Sequence, residues 1–157
     1  KDLNGLAPDA FKKELEKEFQ VSTAASPSPS KPGEICMYLE EKWWLMTPKF
    51  DSSELDVVGR LDVSILQDKV LGPLLGIDDP RTSRRIDFVG GIRGTKELEK
   101  LVGSGKFAVA FSMYPTTVAQ LMEIADAGEI MPPKSTWFEP KLRDGMVCHN
   151  FCFPGPA

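Results

Sequence analysis

The chain is poor in the residue types that carry most metal and thiol chemistry, and it has no long hydrophobic run. Among 157 residues it has one histidine and three cysteines, and basic residues number 19 against 23 acidic ones, for a formal net charge of −4. No apolar stretch approaches the ~20 residues needed to cross a bilayer. A nucleic-acid clamp or an anionic-membrane binder needs a positive face, which this balance disfavours. We therefore expect no nucleic-acid partner and no membrane partner.

The one histidine lies between two cysteines, which at first suggests a metal site. In a strand, Cys148 and Cys152 share a face roughly 13 Å apart, whereas His149 points to the other face. Those sulfurs can neither chelate one zinc ion nor form a mutual disulfide in that conformation. We therefore expect no metal site. Three cysteines without metal spacing suggest reduced thiols in a cytoplasmic protein, and the N-terminus lacks the pattern of a secretory signal.

Motifs for catalysis are also missing. A phosphate-binding loop of the nucleotide hydrolases requires Lys followed by Ser or Thr after its glycines, but Lys106 is followed by Phe107. The three-glycine spacing of a dinucleotide fold is absent as well. Lys134 and Ser135 are neighbours, and neighbouring side chains diverge in an extended chain. The sequence thus identifies no catalytic residue and no cofactor, and we do not expect this chain to be catalytic alone.

The chain does contain clear periodic segments. With 41% hydrophobic and 27% charged residues it is typical of one soluble domain, here α+β and spanning residues 1–157. The patterns predict helices over 8–19, 62–71, 95–102 and 117–127, and strands over 35–39, 43–46, 86–89, 107–113 and 146–151. The first helix has Phe11, Leu15 and Phe19 at a spacing of four, and the first two strands should form a β-hairpin. Thr117 with Gln120 predicts a capping box at the last helix. These elements would form a mixed β-sheet of about five strands with packed helices. Strand and helix alternate across 86–127, which predicts a βαβ-like unit with parallel strands, and the almost wholly apolar 107–113 is predicted to be central.

Two further features concern the organisation of the chain. Residues 22–33 are rich in serine, alanine and proline, which predicts an exposed, flexible linker. The chain opens Lys1-Asp2 without an initiating methionine and soon enters a helical pattern. We therefore expect a piece of a longer protein.

Two corners of the predicted fold suit an anion. Residues 90–95 lead from a predicted strand into a helix, where unpaired amides and the helix dipole favour negative charge, and residues 114–117 do the same after the next strand. With parallel strands both corners would open at one edge of the sheet, and residues 134–136 would close the site from above. The candidate anion-binding residues are Gly90, Gly91, Arg93, Gly94, Thr95, Thr116, Thr117, Lys134 and Ser135. The alternative is that these residues serve only as turns and helix caps.

Several stretches resemble a known family. They are 61–66 (LDVSIL), 87–91 (DFVGG), 114–117 (YPTT) and above all 125–142 (ADAGEIMPPKSTWFEPKL). They resemble the C-terminal part of the bacterial and archaeal family catalogued as domain of unknown function 1015. The resemblance covers most of the chain from about residue 61, whereas the first sixty residues match only loosely.

The resemblance implies a partner and leaves the chemistry open. Complete family members carry an upstream half with an Ala-Asp-Gly-His-His-Arg motif similar to the nucleotide-handling signature of the ParB and sulfiredoxin-like group. This chain has no counterpart, since His149 is its only histidine. The leading hypothesis is a bacterial C-terminal accessory domain that packs with the upstream half and helps to bind a small anionic or phosphorylated metabolite. The alternative is a non-catalytic packing or oligomerisation domain that forms a homo-oligomer.

Overall fold

A computed structural model of the protein describes residues 2–136. Within that range the helices are α1 (Pro8–Glu18), α2 (Asp62–Leu66), α3 (Gly94–Gly103) and α4 (Val118–Asp126). The strands are β1 (Phe19–Thr23), β2 (Ile35–Leu39), β3 (Lys42–Pro48) and β4 (Ala110–Met113). Short 3-10 turns lie at Ser52–Glu54 and Gly91–Arg93, and a π-helical turn at Gln67–Leu71 continues α2. None of these helices is long and apolar enough to span a bilayer.

The four strands form one antiparallel sheet in the order β1-β3-β2-β4. The predicted hairpin of β2 and β3 is confirmed, and Leu39 pairs with Lys42 at its end. Glu40 and Glu41 form the two-residue connection with φ of 50° and 60°. Positive φ at both positions is the conformation of a type I′ turn, whose twist matches that of the flanking strands.

The adjacent tryptophans of β3 lie on opposite faces of the sheet, as alternation along a strand requires. The Lys12 ammonium of α1 lies 3.4 Å from the ring centroid of Trp44. On the other face, the Trp43 indole N–H donates to a carboxylate oxygen of Glu99 in α3 at 2.8 Å. Helices thus cover both faces, with α1 on one side and α3 on the other.

The main core lies on the α1 face. Phe11 and Leu15 follow the predicted spacing of four along α1 and are fully buried, as is Phe19 at the start of β1. They pack with alternate residues of β2 and with the segment that contains α2, including Met37 and Val70. Each such side chain contributes roughly 1.5–3 kcal/mol through removal from water, so this cluster is the main stabilising contact of the fold.

The predicted strand at 86–89 is not formed, and no βαβ unit exists among residues 2–136. The Phe88 side chain is 43% exposed, so this apolar run does not lie in a sheet interior. β4 instead pairs antiparallel with β2. Residues 86–89 pair with no strand of the described sheet, and β4 occupies the edge of β2 that is not paired with β3.

The segment 107–113 is a strand only over its last four residues, and its placement differs from the prediction. Phe111 contacts the main core, but β4 is half-buried and ends the strand order of the described sheet, so the predicted central position is wrong there. The fifth predicted strand, 146–151, lies outside the described residues. The coarser prediction of an α+β fold is confirmed.

The predicted linker 22–33 is partly a strand and partly an anchored loop. Ser22 and Thr23 belong to β1, which the sequence did not predict. Beyond them, the Glu34 carboxylate accepts hydrogen bonds from the Ser30 amide at 3.0 Å and the Ser30 hydroxyl at 2.8 Å. The Gly33 amide donates to the Asp62 carboxylate at 2.9 Å, which ties the loop to the start of α2.

Candidate anion-binding corners

The first corner is a turn joined to the start of α3. The Arg93 amide donates to the Gly90 carbonyl at 3.0 Å and closes the 3-10 turn. Gly94 then adopts φ 67° and ψ 178°, a backbone region that is essentially restricted to glycine. Gly94 therefore allows the chain to change direction between the turn and the helix, and Gly91 beside it is exposed with open space where a Cβ would lie.

The amides at the start of α3 have no side-chain cap. The Arg93 side chain is exposed and has no hydrogen bond or ion pair within residues 2–136, and the same holds for Lys96 one turn later. Uncapped amides, the positive end of the helix dipole and a free guanidinium all favour an anion. Thr95 is half-buried at this turn. Glu97 opposes them in part, although its carboxylate lies 4.0 Å from the Lys100 ammonium.

The segment that leads into this corner carries more positive than negative charge, although the chain as a whole is acidic. Residues 81–96 contain five basic residues, Arg81, Arg84, Arg85, Arg93 and Lys96, against one acidic residue, Asp87. Ion pairs with Asp79 and Asp2 hold Arg81 and Arg85. The local excess of positive charge could have been found from the sequence, because it is visible in a sixteen-residue window of an acidic chain.

The second corner, at the start of α4, is closed by the protein's own groups. The predicted capping box is confirmed: the Thr117 hydroxyl accepts from the Gln120 amide at 3.2 Å, and the Gln120 side chain accepts from the Thr117 amide at 2.9 Å. The Thr116 hydroxyl donates to the Ser135 carbonyl at 2.7 Å. Of the predicted anion ligands, Thr117 is therefore engaged in capping α4 and Thr116 in a contact with the loop at Ser135.

Lys134 and Ser135 lie in the turn beside this second corner. The Ser135 hydroxyl donates to the Pro132 carbonyl at 2.6 Å, and Lys134 is exposed with φ 61°. The structure therefore brings Ser135 to Thr116, as expected for a segment over the corner. Within the described part of the chain, no hydrogen bond or ion pair joins residues 90–95 to residues 114–117 or 134–135. Parallel strands would have opened both corners at one edge, but the strand at 86–89 is absent.

A small polar cluster that the sequence did not reveal fixes α3 on the sheet. Besides the Trp43–Glu99 hydrogen bond, the rings of Tyr38 and Trp43 lie 5.0 Å apart across the hairpin. Loss of solvent around the phenol, together with the nearby charges of Glu99 and Glu41, raises the pKa of Tyr38. The hairpin register could have predicted the ring pair, whereas the contact with Glu99 depends on tertiary packing. Because Glu99 lies on α3 four residues after Thr95, the hydrogen bond to Trp43 fixes the helix roughly 6 Å along its axis from Thr95.

A groove of about 500 Å³ lies between the loop at 56–58 and the end of α4. Its lining residues are Asp56, Val57, Val58, Ala127, Glu129 and Ile130. The two carboxylates make this groove unfavourable for a phosphate-like ligand. The first corner is therefore the better site for an anion.

Cys36 is the only cysteine within residues 2–136. No group of three His, Cys, Asp or Glu residues there could hold a metal ion. Cys36 is a buried free thiol, and burial together with the charge of Glu34 raises its pKa to about 11. Cys148, His149 and Cys152 lie outside the described residues.

Comparison with known proteins gives a family without an assigned activity. The family model described as a protein of unknown function (DUF1015) matches residues 1–64. The match covers less than half of the chain, and it is to the same family that the sequence resembles. It covers α1, the strands β1 to β3 and the start of α2, and of the quoted motifs only the stretch beginning at Leu61 overlaps it. No curated protein and no solved structure shows significant similarity to the chain.

Proposed function

We propose that this chain is a bacterial, cytoplasmic accessory domain that holds a small phosphate-like anion at the start of α3. The longer protein would contain the upstream half, which would supply the rest of the site and any reaction on the phosphorylated metabolite. The observation that carries the proposal is the Arg93 guanidinium, which is exposed and has no partner within the described residues, next to the uncapped start of a ten-residue helix.

Three properties of the corner support an anion there. Gly91 and Gly94 both lack a Cβ, and no atom lies within 4 Å of the position that a Cβ would take at either residue, so a ligand could approach the backbone closely there. The Gly94 amide donates to the Gly91 carbonyl, and no side chain caps the amides that follow it at the start of α3. Arg93 and Lys96 add positive charge within one helical turn, in a segment that carries an excess of basic residues.

Phosphate titration followed by amide NMR tests the proposal. Inorganic phosphate should shift the amides of residues 94–96 in a saturable way, and an Arg93→Gln variant should lose those shifts. Lys13→Gln is the matched control, because Lys13 is exposed on α1 and its replacement removes the same charge elsewhere. Shifts that are spread over other surfaces, or that persist in Arg93→Gln, would refute the site.

The second candidate function is a packing domain without a ligand of its own. Its support is Ile92, which is 74% exposed in the turn next to Arg93 and would be covered by the upstream half or by another copy. An Ile92→Ser variant should then weaken self-association in analytical ultracentrifugation. A wild-type chain that stays monomeric over the whole concentration range would exclude the homo-oligomer.

A further inference from the structure

The turn that precedes α1 contains an Asn-Gly pair in a left-handed conformation. The Leu6 amide donates to the Leu3 carbonyl at 3.1 Å, and Asn4 and Gly5 between them have φ of 56° and 80°. Positive φ at both central residues, together with this hydrogen bond, is the geometry of a type I′ turn, in which Asn-Gly is a favoured pair. Of the two asparagines in the chain, only Asn4 is followed by glycine.

An Asn-Gly pair can change its own covalent structure, and asparagine is one of the thermolabile residues for this reason. The Gly5 nitrogen attacks the Asn4 side-chain carbonyl carbon and forms a C–N bond, and the side-chain nitrogen leaves as ammonia with the proton of the Gly5 N–H. Water then opens the succinimide ring at one of its two carbonyl carbons. The product is aspartate on the original backbone or isoaspartate with the backbone running through the side chain.

The surroundings of Gly5 leave its nitrogen available for this attack. Within residues 2–136 the Gly5 amide donates to no acceptor. Glycine has no Cβ to hinder the approach of the Asn4 side chain, and no atom lies within 4 Å of the position that a Cβ would take at Gly5. The Asn4 side chain is itself exposed.

The folded turn nevertheless holds the reacting atoms apart. The first central residue of a type I′ turn has ψ of about +30°. For an L-residue this ψ places the Cβ of Asn4 and the nitrogen of Gly5 on opposite sides of the Cα–C bond, whereas the succinimide ring requires the two atoms to be nearly eclipsed. Ring closure therefore requires the turn to open.

Contacts on both sides of the turn oppose that opening. The Leu3 side chain is 7% exposed and belongs to the main core. The Asn4 amide donates to a carboxylate oxygen of Asp2 at 2.9 Å, and the same oxygen accepts from the Arg85 guanidinium at 2.6 Å. Opening must therefore expose Leu3 and disturb this hydrogen-bonded group, which makes the open form a minor population.

We propose that Asn4 is a site of spontaneous deamidation and that opening of the Leu3–Leu6 turn sets the rate of the reaction. Water is the only co-reactant. The product has one more negative charge next to Asp2 and Arg85, and isoaspartate also lengthens the backbone by one carbon, so the original turn does not re-form. The modification is then an irreversible mark of chains whose turn has opened. The proposal is independent of anion binding at the start of α3.

Mass spectrometry of the tryptic peptide 2–12 tests the proposal in the full chain. During incubation at pH 8, conversion of Asn4 to a product one mass unit heavier should be at least about tenfold slower in the native chain than in urea, since a turn open one tenth of the time reacts about tenfold more slowly. Leu3→Ala removes the buried anchor and should bring the native rate toward the unfolded rate. Leu98→Ala, the same substitution at a half-buried position of α3, is the control and should leave it unchanged.

Two results of that experiment would overturn the proposal. Equal rates in the native and unfolded chains would show that the turn does not control the reaction. A residue 4 that stays unconverted in the unfolded chain would exclude the site itself.

Hydrogen exchange of the unsubstituted chain covers the case in which Leu3→Ala does not fold. The Leu6 amide donates within the turn, so its exchange with solvent requires the same opening as deamidation. The protection factor of the Leu6 amide, measured by NMR, should equal the ratio of unfolded to native deamidation rates to within about threefold. A disagreement larger than about tenfold in either direction would show that the two processes use different openings and would refute the gating.

Discussion

Replacing Gly94 with alanine isolates the backbone conformation on which the start of α3 depends. At φ 67° and ψ 178° an L-residue is strained, and no atom lies within 4 Å of the position that a Cβ would take. The cost therefore comes from the backbone alone and amounts to about 1–3 kcal/mol. For a chain of this size, about 1 kcal/mol corresponds to about 2–4 °C in Tm, so we expect Gly94→Ala to lower Tm by about 2–12 °C.

Gly91→Ala is the matched control for this experiment. Gly91 is also exposed and open, but it has no positive φ, so alanine should be tolerated or should stabilise the protein by about 0.4–1 kcal/mol. Thermal and urea unfolding followed by circular dichroism measures both variants. Equal stability of the two variants would refute the left-handed conformation at Gly94 and, with it, the glycine-dependent approach of an anion to the backbone.

Three further predictions concern the turn, the loop and the thiol. Replacing Glu40 and Glu41 with Asn and Gly, which tolerate positive φ, should raise the free energy of unfolding by on the order of 1 kcal/mol, and an unchanged urea midpoint would contradict the type I′ turn. Burial raises the pKa of Asp62 above 3.8; the charge of Glu34 adds to this effect and the hydrogen bond from the Gly33 amide opposes it. The folded protein therefore loses stability as pH rises from 3.8 through the raised pKa and the carboxyl group ionises. Asp62→Asn should therefore be more stable than the parent at pH 7 and lose this advantage below about pH 3.8; a constant difference across pH would disprove the cause. Cys36 should react with a thiol reagent at pH 8 only after unfolding, as judged by peptide mapping, and rapid native labelling would contradict its burial.

Elements with local signals were predictable, and those that depend on distant pairing were not. The amphipathic spacing of α1, the hairpin of β2 and β3, and the capping box at Thr117 all depend on residues a few positions apart. β1 was missed because Phe19 continues the spacing of α1, and only pairing with β3 makes the segment a strand. The strand prediction at 86–89 failed for the opposite reason, since this apolar run has strand composition but pairs with no strand of the described sheet.

The two corners of the candidate site also differ in how far the sequence alone predicts them. The start of α3 has no side-chain cap, and the Arg93 side chain has no partner within residues 2–136, although the sequence alone does not predict that Arg93 is unpaired. Thr116 and Thr117 have the chemistry of ligands, but their hydroxyls bind the chain itself. Whether the second corner stays open depends on the path of residues 132–136, and no local pattern determines that path.

The strand order has a consequence for how the chain folds. β1, β2 and β3 all lie within residues 19–48 and pair with near neighbours, whereas β4 begins at residue 110 and must close a long loop to reach β2. Loop closure of that length costs entropy before any contact compensates it, so docking of β4 is expected to be slow relative to formation of the three-stranded unit. During synthesis, β2 therefore carries an unpaired edge until residue 113 has left the ribosome, and that interval is when the nascent chain is most exposed to edge-to-edge aggregation.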